Sequence, residues 1–150
     1  MTTPEDVELH ETESSVEEGS YYIIEPARGR DLNRSLVTMF LARRCPSCQD
    51  RLKADVKSPT EEEHIREIAE CCSTQEGFIR PDMPMQEIIF RSVLSEGNEP
   101  VSLEQLHYLV TERWYTPNNP RNISVSGLKR VLDSDMYYGF SEVSGATTES

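Results

Sequence analysis

Cysteine is missing from this chain except in one window. All four cysteines lie between residues 45 and 72. Long apolar runs are missing too. No stretch approaches the roughly 18 apolar residues that span a bilayer. The N-terminus is acidic and carries no apolar segment of the signal-peptide kind. Neither a membrane span nor a leader is expected, and a cytoplasmic setting follows, in which thiols stay reduced and structural disulfides are rare. Positive charge is scarce: 15 Lys and Arg stand against 27 Asp and Glu, for a net charge of -12. That balance argues against tight, nonspecific binding to nucleic acid. Catalytic signatures are lacking as well, with no Gly-rich phosphate loop, His-Glu-x-x-His or Gly-x-Ser-x-Gly. His64 or His107 could pair with a cysteine as base and nucleophile. His107, however, falls beside Leu103 and Leu106 on an apolar helix face, where a satisfied, partly buried histidine is the usual outcome. No enzyme and no small-molecule substrate are expected.

The cysteine window holds Cys45-Pro46-Ser47-Cys48, followed after 22 residues by Cys71-Cys72. A Cys-x-x-Cys turn points two sulfurs the same way. A second pair brought close by the fold would complete the tetrahedral set that Zn²⁺ prefers. The expected ligands are Cys45, Cys48, Cys71 and Cys72, with His64 as an alternative to one of the last two. Four reduced thiols packed as small hydrophobes are the competing outcome. A redox Cys-x-x-Cys is a third, although no βαβ pattern surrounds it.

Low hydrophobic content, 36% with a mean hydropathy of -0.58, is partly explained by the ends of the chain. Residues 1–20 hold seven acids and no base. Residues 1–19 read as a disordered acidic tail and 144–150 as a second disordered tail. Between them, residues 20–80 read as a zinc-binding helical region and 81–143 as a separate helical domain. Tyr21–Ile24 is a short β-prone run stopped by Pro26 and Gly29. Asp31 is placed to cap a helix over about 32–43, with Leu32, Leu36 and Phe40 on one stripe. Arg28, Arg30, Arg34, Arg43 and Arg44 make a basic stripe there, either a phosphate or acidic-protein contact or a solvated face. Residues 49–59 read as a loop. Thr60 and Glu63 form a capping-box pattern opening a helix over about 61–72.

After a connector at 73–83, Pro84 opens a helix carrying Ile88 and Ile89 that ends at Gly97. Pro100-Val101 is briefly extended. Ser102 and Gln105 open a second helix with Leu106 and Leu109, ending at Trp114. Residues 115–122 are turn-forming. Ser124 or Ser126 caps a third helix with Leu128, Val131 and Leu132 inward. Residues 136–143 are β-prone, with a partner strand missing or supplied elsewhere. The expected core is Ile88, Ile89, Leu106, Leu109, Leu128, Val131 and Leu132. The fold class is mainly α with a small β component: a zinc-clasped helical N-terminal part followed by a winged helix-turn-helix.

Over residues 85–140 the chain resembles the HARE-type helix-turn-helix of the RNA polymerase delta subunit and of some chromatin and restriction proteins. The likeness lies in the Leu-rich second helix ending in Arg113-Trp114, the Thr-Pro/Asn-rich turn, and the Val-Ser-x-Leu-x-x-x-Leu helix before an aromatic strand. It departs from that pattern after Phe140, where the second wing strand is poor. The resemblance implies contact with nucleic acid or RNA polymerase, and no catalysis.

Two functions follow. The first is a zinc-binding winged-helix regulator of transcription that contacts DNA or RNA polymerase. Its contact residues would be Arg121, Asn122, Ser124, Ser126, Lys129 and Arg130, although Asp133 and Asp135 weaken the local field. The second is a non-catalytic protein-protein adaptor that binds no nucleic acid. One contiguous basic face built from Arg113, Arg121, Lys129 and Arg130 would separate the two.

Overall fold

A computed structural model describes residues 20–54, 59–118 and 120–143. The tails expected at 1–19 and 144–150 lie outside them. Among the described residues the chain is mainly helical, with seven α-helices, one short 3-10 turn and a three-stranded antiparallel sheet. None of these helices is long and apolar enough to cross a membrane.

The sheet is organised around its first strand, β1 (Tyr21–Ile24). Tyr22 and Ile24 are buried while Tyr21 and Ile23 are half-buried, the two-residue alternation of a strand covered mainly on one face. On one side β1 pairs with β2 (Val101–Ser102), in register Tyr22 to Val101. On the other it pairs along its whole length with β3 (Phe140–Val143), Ile24 opposite Phe140. The strand partner that residues 140–143 lack locally is therefore supplied from ahead of the cysteine window.

Two short helices replace the single helix expected over 32–43. The first, α1 (Pro26–Asp31), begins on Pro26, whose fixed φ suits a first helical turn. Asn33 then takes the left-handed conformation, φ 61°, and breaks the helix. Ser35, not Asp31, caps α2 (Leu36–Ala42), its hydroxyl accepting the Thr38 N–H at 3.2 Å. Gly29 makes the junction possible: a Cβ there would stand 2.8 Å from Leu36 Cγ.

A second difference is α3 (Pro46–Ala54), which occupies much of the expected loop. Its only fully buried described side chain is Cys48, so it carries no apolar period to detect. It is tied down at its start, where Gln49 Nε2 donates to the carbonyls of Leu41 and Arg44 at the end of α2. The next helix, α4 (Glu61–Glu70), opens on the expected capping box: Glu63 N donates to Thr60 Oγ1 and Thr60 N to Glu63 Oε1. It stops two residues early, and Cys72–Thr74 form the 3-10 turn.

The C-terminal elements follow the sequence pattern closely. They are α5 (Met85–Ser95), α6 (Leu103–Trp114) and α7 (Val125–Asp133). Ser102 caps α6 and Ser124 caps α7. Ile88, Ile89, Leu106, Leu109, Leu128 and Leu132 are buried as expected, whereas Val131 is only half-buried at the edge. Residues 136–139 do not join the strand. The Asp135 carboxylate instead gathers the N–H groups of Tyr137, Tyr138, Gly139 and Phe140, with Gly139 at φ 87°.

One apolar cluster runs through the whole assembly, from Tyr22, Phe40, Cys48 and Ile68 to Phe90, Leu106, Leu128 and Phe140. Phe90 sits at its middle, with ring centroids 6.1 Å from Phe40, 5.1 Å from Tyr138 and 6.4 Å from Phe140.

Candidate metal centre

Four element ends meet at the cysteines. Cys45 follows the C-terminus of α2, and Cys48 sits in the first turn of α3. Cys71 caps the end of α4, and Cys72 opens the 3-10 turn. Pro46 opens α3, its fixed φ suited to a first helical turn, and Cys48 follows within that turn with its sulfur against Cys71 and Cys72. All four Sγ atoms lie within 4.8 Å of one another. The separations are 3.9 Å for Cys45–Cys71, 3.7 Å for Cys48–Cys71 and 3.5 Å for Cys48–Cys72. A tetrahedral ion with metal–sulfur bonds of about 2.3 Å needs sulfurs about 3.8 Å apart. These three of the six separations match that edge length, and all four thiols lie close enough together to hold one metal ion.

The electrostatics point the same way. Cys48 and Cys72 are buried, Cys45 and Cys71 half-buried. Burial is the main cause that pushes the Cys72 thiol up to about 12. Hydrogen bonds with Cys48 and then Cys45 push Cys71 up. The Ser47 hydroxyl, 3.4 Å from Cys45 Sγ, leads the causes that hold Cys45 down at about 6. Several thiolates cannot coexist at this spacing by themselves, because their charges repel. A cation at the centre reverses that repulsion and deprotonates its ligands. The surroundings also donate to sulfur. Cys45 N–H points at Cys72 Sγ at 3.1 Å, and Arg51 Nη2 lies 3.2 Å from Cys48 Sγ.

His64 is not part of this set. Its Nδ1 lies 2.8 Å from Arg44 Nη1. Arginine only donates, so His64 Nδ1 accepts and the ring is neutral with its proton on Nε2. Burial first, and the Arg44 charge second, hold the His64 pKa below its ordinary value. Arg44, itself buried, also pairs with Glu67, and Glu67 reaches Arg51 at 3.4 Å. A charged relay Arg44–Glu67–Arg51 thus runs beside the sulfurs. Reading 49–59 as a loop hid it, because Arg51 lies on the helix Pro46–Ala54. On a helix Arg51 stands one turn beyond Cys48 and shares its face.

Most basic residues of the 28–44 stripe and of the face considered for the C-terminal helices have partners within the chain. Arg28 donates to Asp135 O at 2.6 Å, Arg34 lies over the Tyr137 ring, and Arg43 forms a two-pronged pair with Glu87. Arg113 donates to Ser92 Oγ at 2.9 Å. Arg121 stacks over Trp114, 4.7 Å from its centroid, and donates to the carbonyls of Pro81 and Trp114. Lys129 Nζ meets Tyr22 Oη at 2.9 Å, Glu142 at 3.1 Å and Asp133 at 3.2 Å. Of the residues expected to touch a partner, Asn122, Ser126 and Arg130 are exposed. Ser124 is also exposed but spends its hydroxyl as the cap of α7. His107 Nε2 is 2.7 Å from the Ile123 carbonyl. No protein-family model, curated protein or solved structure matches this chain.

Proposed function

We propose that this chain is a zinc-clasped, non-catalytic module that works by docking on another protein. One observation carries the reading: four sulfurs within 4.8 Å of one another, three of their separations at the edge length of a metal–thiolate tetrahedron. Zinc suits an all-thiolate, four-coordinate set, and four protein ligands leave no open position for water or substrate. Cys45, Cys48, Cys71 and Cys72 would hold the ion, and its chemistry there is to tie elements together. The junction of α2 and α3 would be fastened to the end of α4, where binding free energy becomes folding free energy. Reduced thiolates suit a cytoplasmic setting. The net charge of -12 and the internal use of Arg113, Arg121 and Lys129 favour a protein partner over duplex DNA.

Elemental analysis of protein purified without chelator tests the clasp, with about one Zn²⁺ per chain expected. A metal-free, fully folded protein with four titratable thiols would refute it.

A second reading keeps specific support. Asn122, Ser126 and Arg130 are exposed around the start and outer side of α7, where a winged helix would meet DNA or RNA polymerase in transcription regulation. Arg130→Glu should abolish duplex binding at low salt if that reading holds. Undetectable binding by the unaltered protein at high concentration would leave protein docking alone.

A further inference from the structure

The outer side of α4 bears a groove that the cysteine cluster does not use. Its floor is Ile65 and Ala69 with Pro26 opposite, its far wall is the Gly97–Asn98 turn, and its volume is about 430 Å³. Glu61, Glu62 and Glu70 line the same groove together with one cation, Arg66, so three acids stand against one base there. The five glutamates of α4 divide cleanly. Glu63 closes the capping box, and Glu67 pairs with Arg44 and Arg51. The other three all face the groove, and among the described residues none of them forms an ion pair. Helix electrostatics account for Glu61 and Glu62 in the first turn. They do not account for Glu70, which stands at the end where a negative charge is disfavoured. The walls are already in place. Asn98 is held by two 2.8 Å hydrogen bonds to the Ile24 backbone, and α4 by its capping box, so occupation would need little rearrangement.

We propose that this groove docks a short basic amphipathic segment of a partner protein. Its aliphatic stems would lie on Pro26, Ile65 and Ala69, and its Lys or Arg heads would meet Glu61, Glu62 and Glu70. An apolar floor and a rim whose unpaired glutamates outnumber Arg66 three to one together match the two ends of a long cationic side chain. The length from Glu61 to Glu70, about 14 Å at 1.5 Å per residue, corresponds to between two and three turns of a docked helix. The proposal rests on the protein-docking reading but not on the identity of the metal.

The test is a titration of the full, zinc-loaded chain with a fluorescein-labelled peptide of Lys and Leu at helical spacing. A scrambled peptide of the same composition serves as control. Binding should saturate, and amide resonance shifts should concentrate at residues 26, 61–70 and 97–98. Glu62→Lys with Glu70→Lys should weaken binding about ten-fold. Glu104→Lys with Glu112→Lys, the same charge change on α6, should leave affinity within about two-fold. Equal loss in both double variants, shifts concentrated elsewhere, or equal binding of the scrambled peptide would overturn the proposal. Zinc content and amide dispersion, read on the same samples, report the clasp separately. A metal-free chain that keeps site-mapped binding would refute the clasp and leave the groove standing.

Discussion

Asn98 completes the sheet at Ile24. β2 pairs with β1 only at Tyr21 and Tyr22, so Ile24 has no strand neighbour on that side. The Asn98 side-chain amide takes the place of one: Ile24 N donates to Oδ1 and Nδ2 donates to Ile24 O, both at 2.8 Å. The residue reaches that position because it adopts the left-handed conformation, φ 61°, directly after Gly97. An asparagine tolerates this better than most residues and brings the donor and acceptor together.

Asn98→Ala should therefore destabilise the fold by about 2–4 kcal/mol, from two lost hydrogen bonds and added backbone strain. Asn98→Gly removes the strain but not the loss of the bonds, so it should cost less. Urea unfolding of the two variants measures the difference. Equal stability of both variants and the parent would show that the amide does not hold the strand.

Asp135 should be intolerant of even isosteric change. Its two carboxylate oxygens accept four backbone N–H groups at 2.8–3.1 Å, and the side chain is buried. Asp135→Asn places an NH₂ donor against N–H donors, at a cost of about 2–4 kcal/mol. Thermal unfolding should show the loss. Amide exchange should show residues 137–143 losing protection first, because the turn that leads into β3 depends on this carboxylate.

Acid should weaken the fold through Glu87. Burial would raise its carboxyl, but Arg43 and Arg91 outweigh burial and hold it down at about 2. A carboxyl with a folded pKa below its unfolded value binds fewer protons in the folded chain. It therefore stabilises the fold above the ordinary carboxylate pKa, and that contribution drains away as pH falls from about 4.5 to about 2. The size is on the order of 2–3 kcal/mol. Glu87→Gln should be less stable at neutral pH and should lose less on acidification. Parallel stability curves for the two proteins across that window would remove Glu87 as the cause.

The clasp should hold one part of the chain more than the rest. Cys48→Ser should release metal and lower amide protection over 36–74, while α6 and α7 keep theirs at mild denaturant. Chelator treatment of the parent should reproduce the pattern. Uniform loss of protection along the chain would mean that the centre and the C-terminal helices unfold as one unit.

Leu106 sits at the middle of the C-terminal core and is fully buried. Leu106→Ala should cost ~2–5 kcal/mol by urea unfolding. A cost under about half a kcal/mol would place it at the surface.

What the sequence determined by itself was local. Helical period placed α5, α6 and α7, because each buries a stripe and each begins on a serine or proline signal. Thr60 and Glu63 marked the start of α4 for the same reason. Cysteine spacing named the four sulfurs that come together, since a Cys-x-x-Cys turn and an adjacent pair need only one approach of two helix ends. Tertiary structure decided what lay beyond that range. The helix α3 buries a sulfur instead of a stripe, so it left no period. His64 turned to Arg44 because a buried guanidinium needs an acceptor, a demand visible only after Arg44 is known to be inside. Lys129 was spent on Tyr22, more than a hundred residues away in sequence. The partner of β3 was likewise remote: β1 crosses from the other end of the chain, because an unpaired strand edge is satisfied by whichever backbone the core brings beside it.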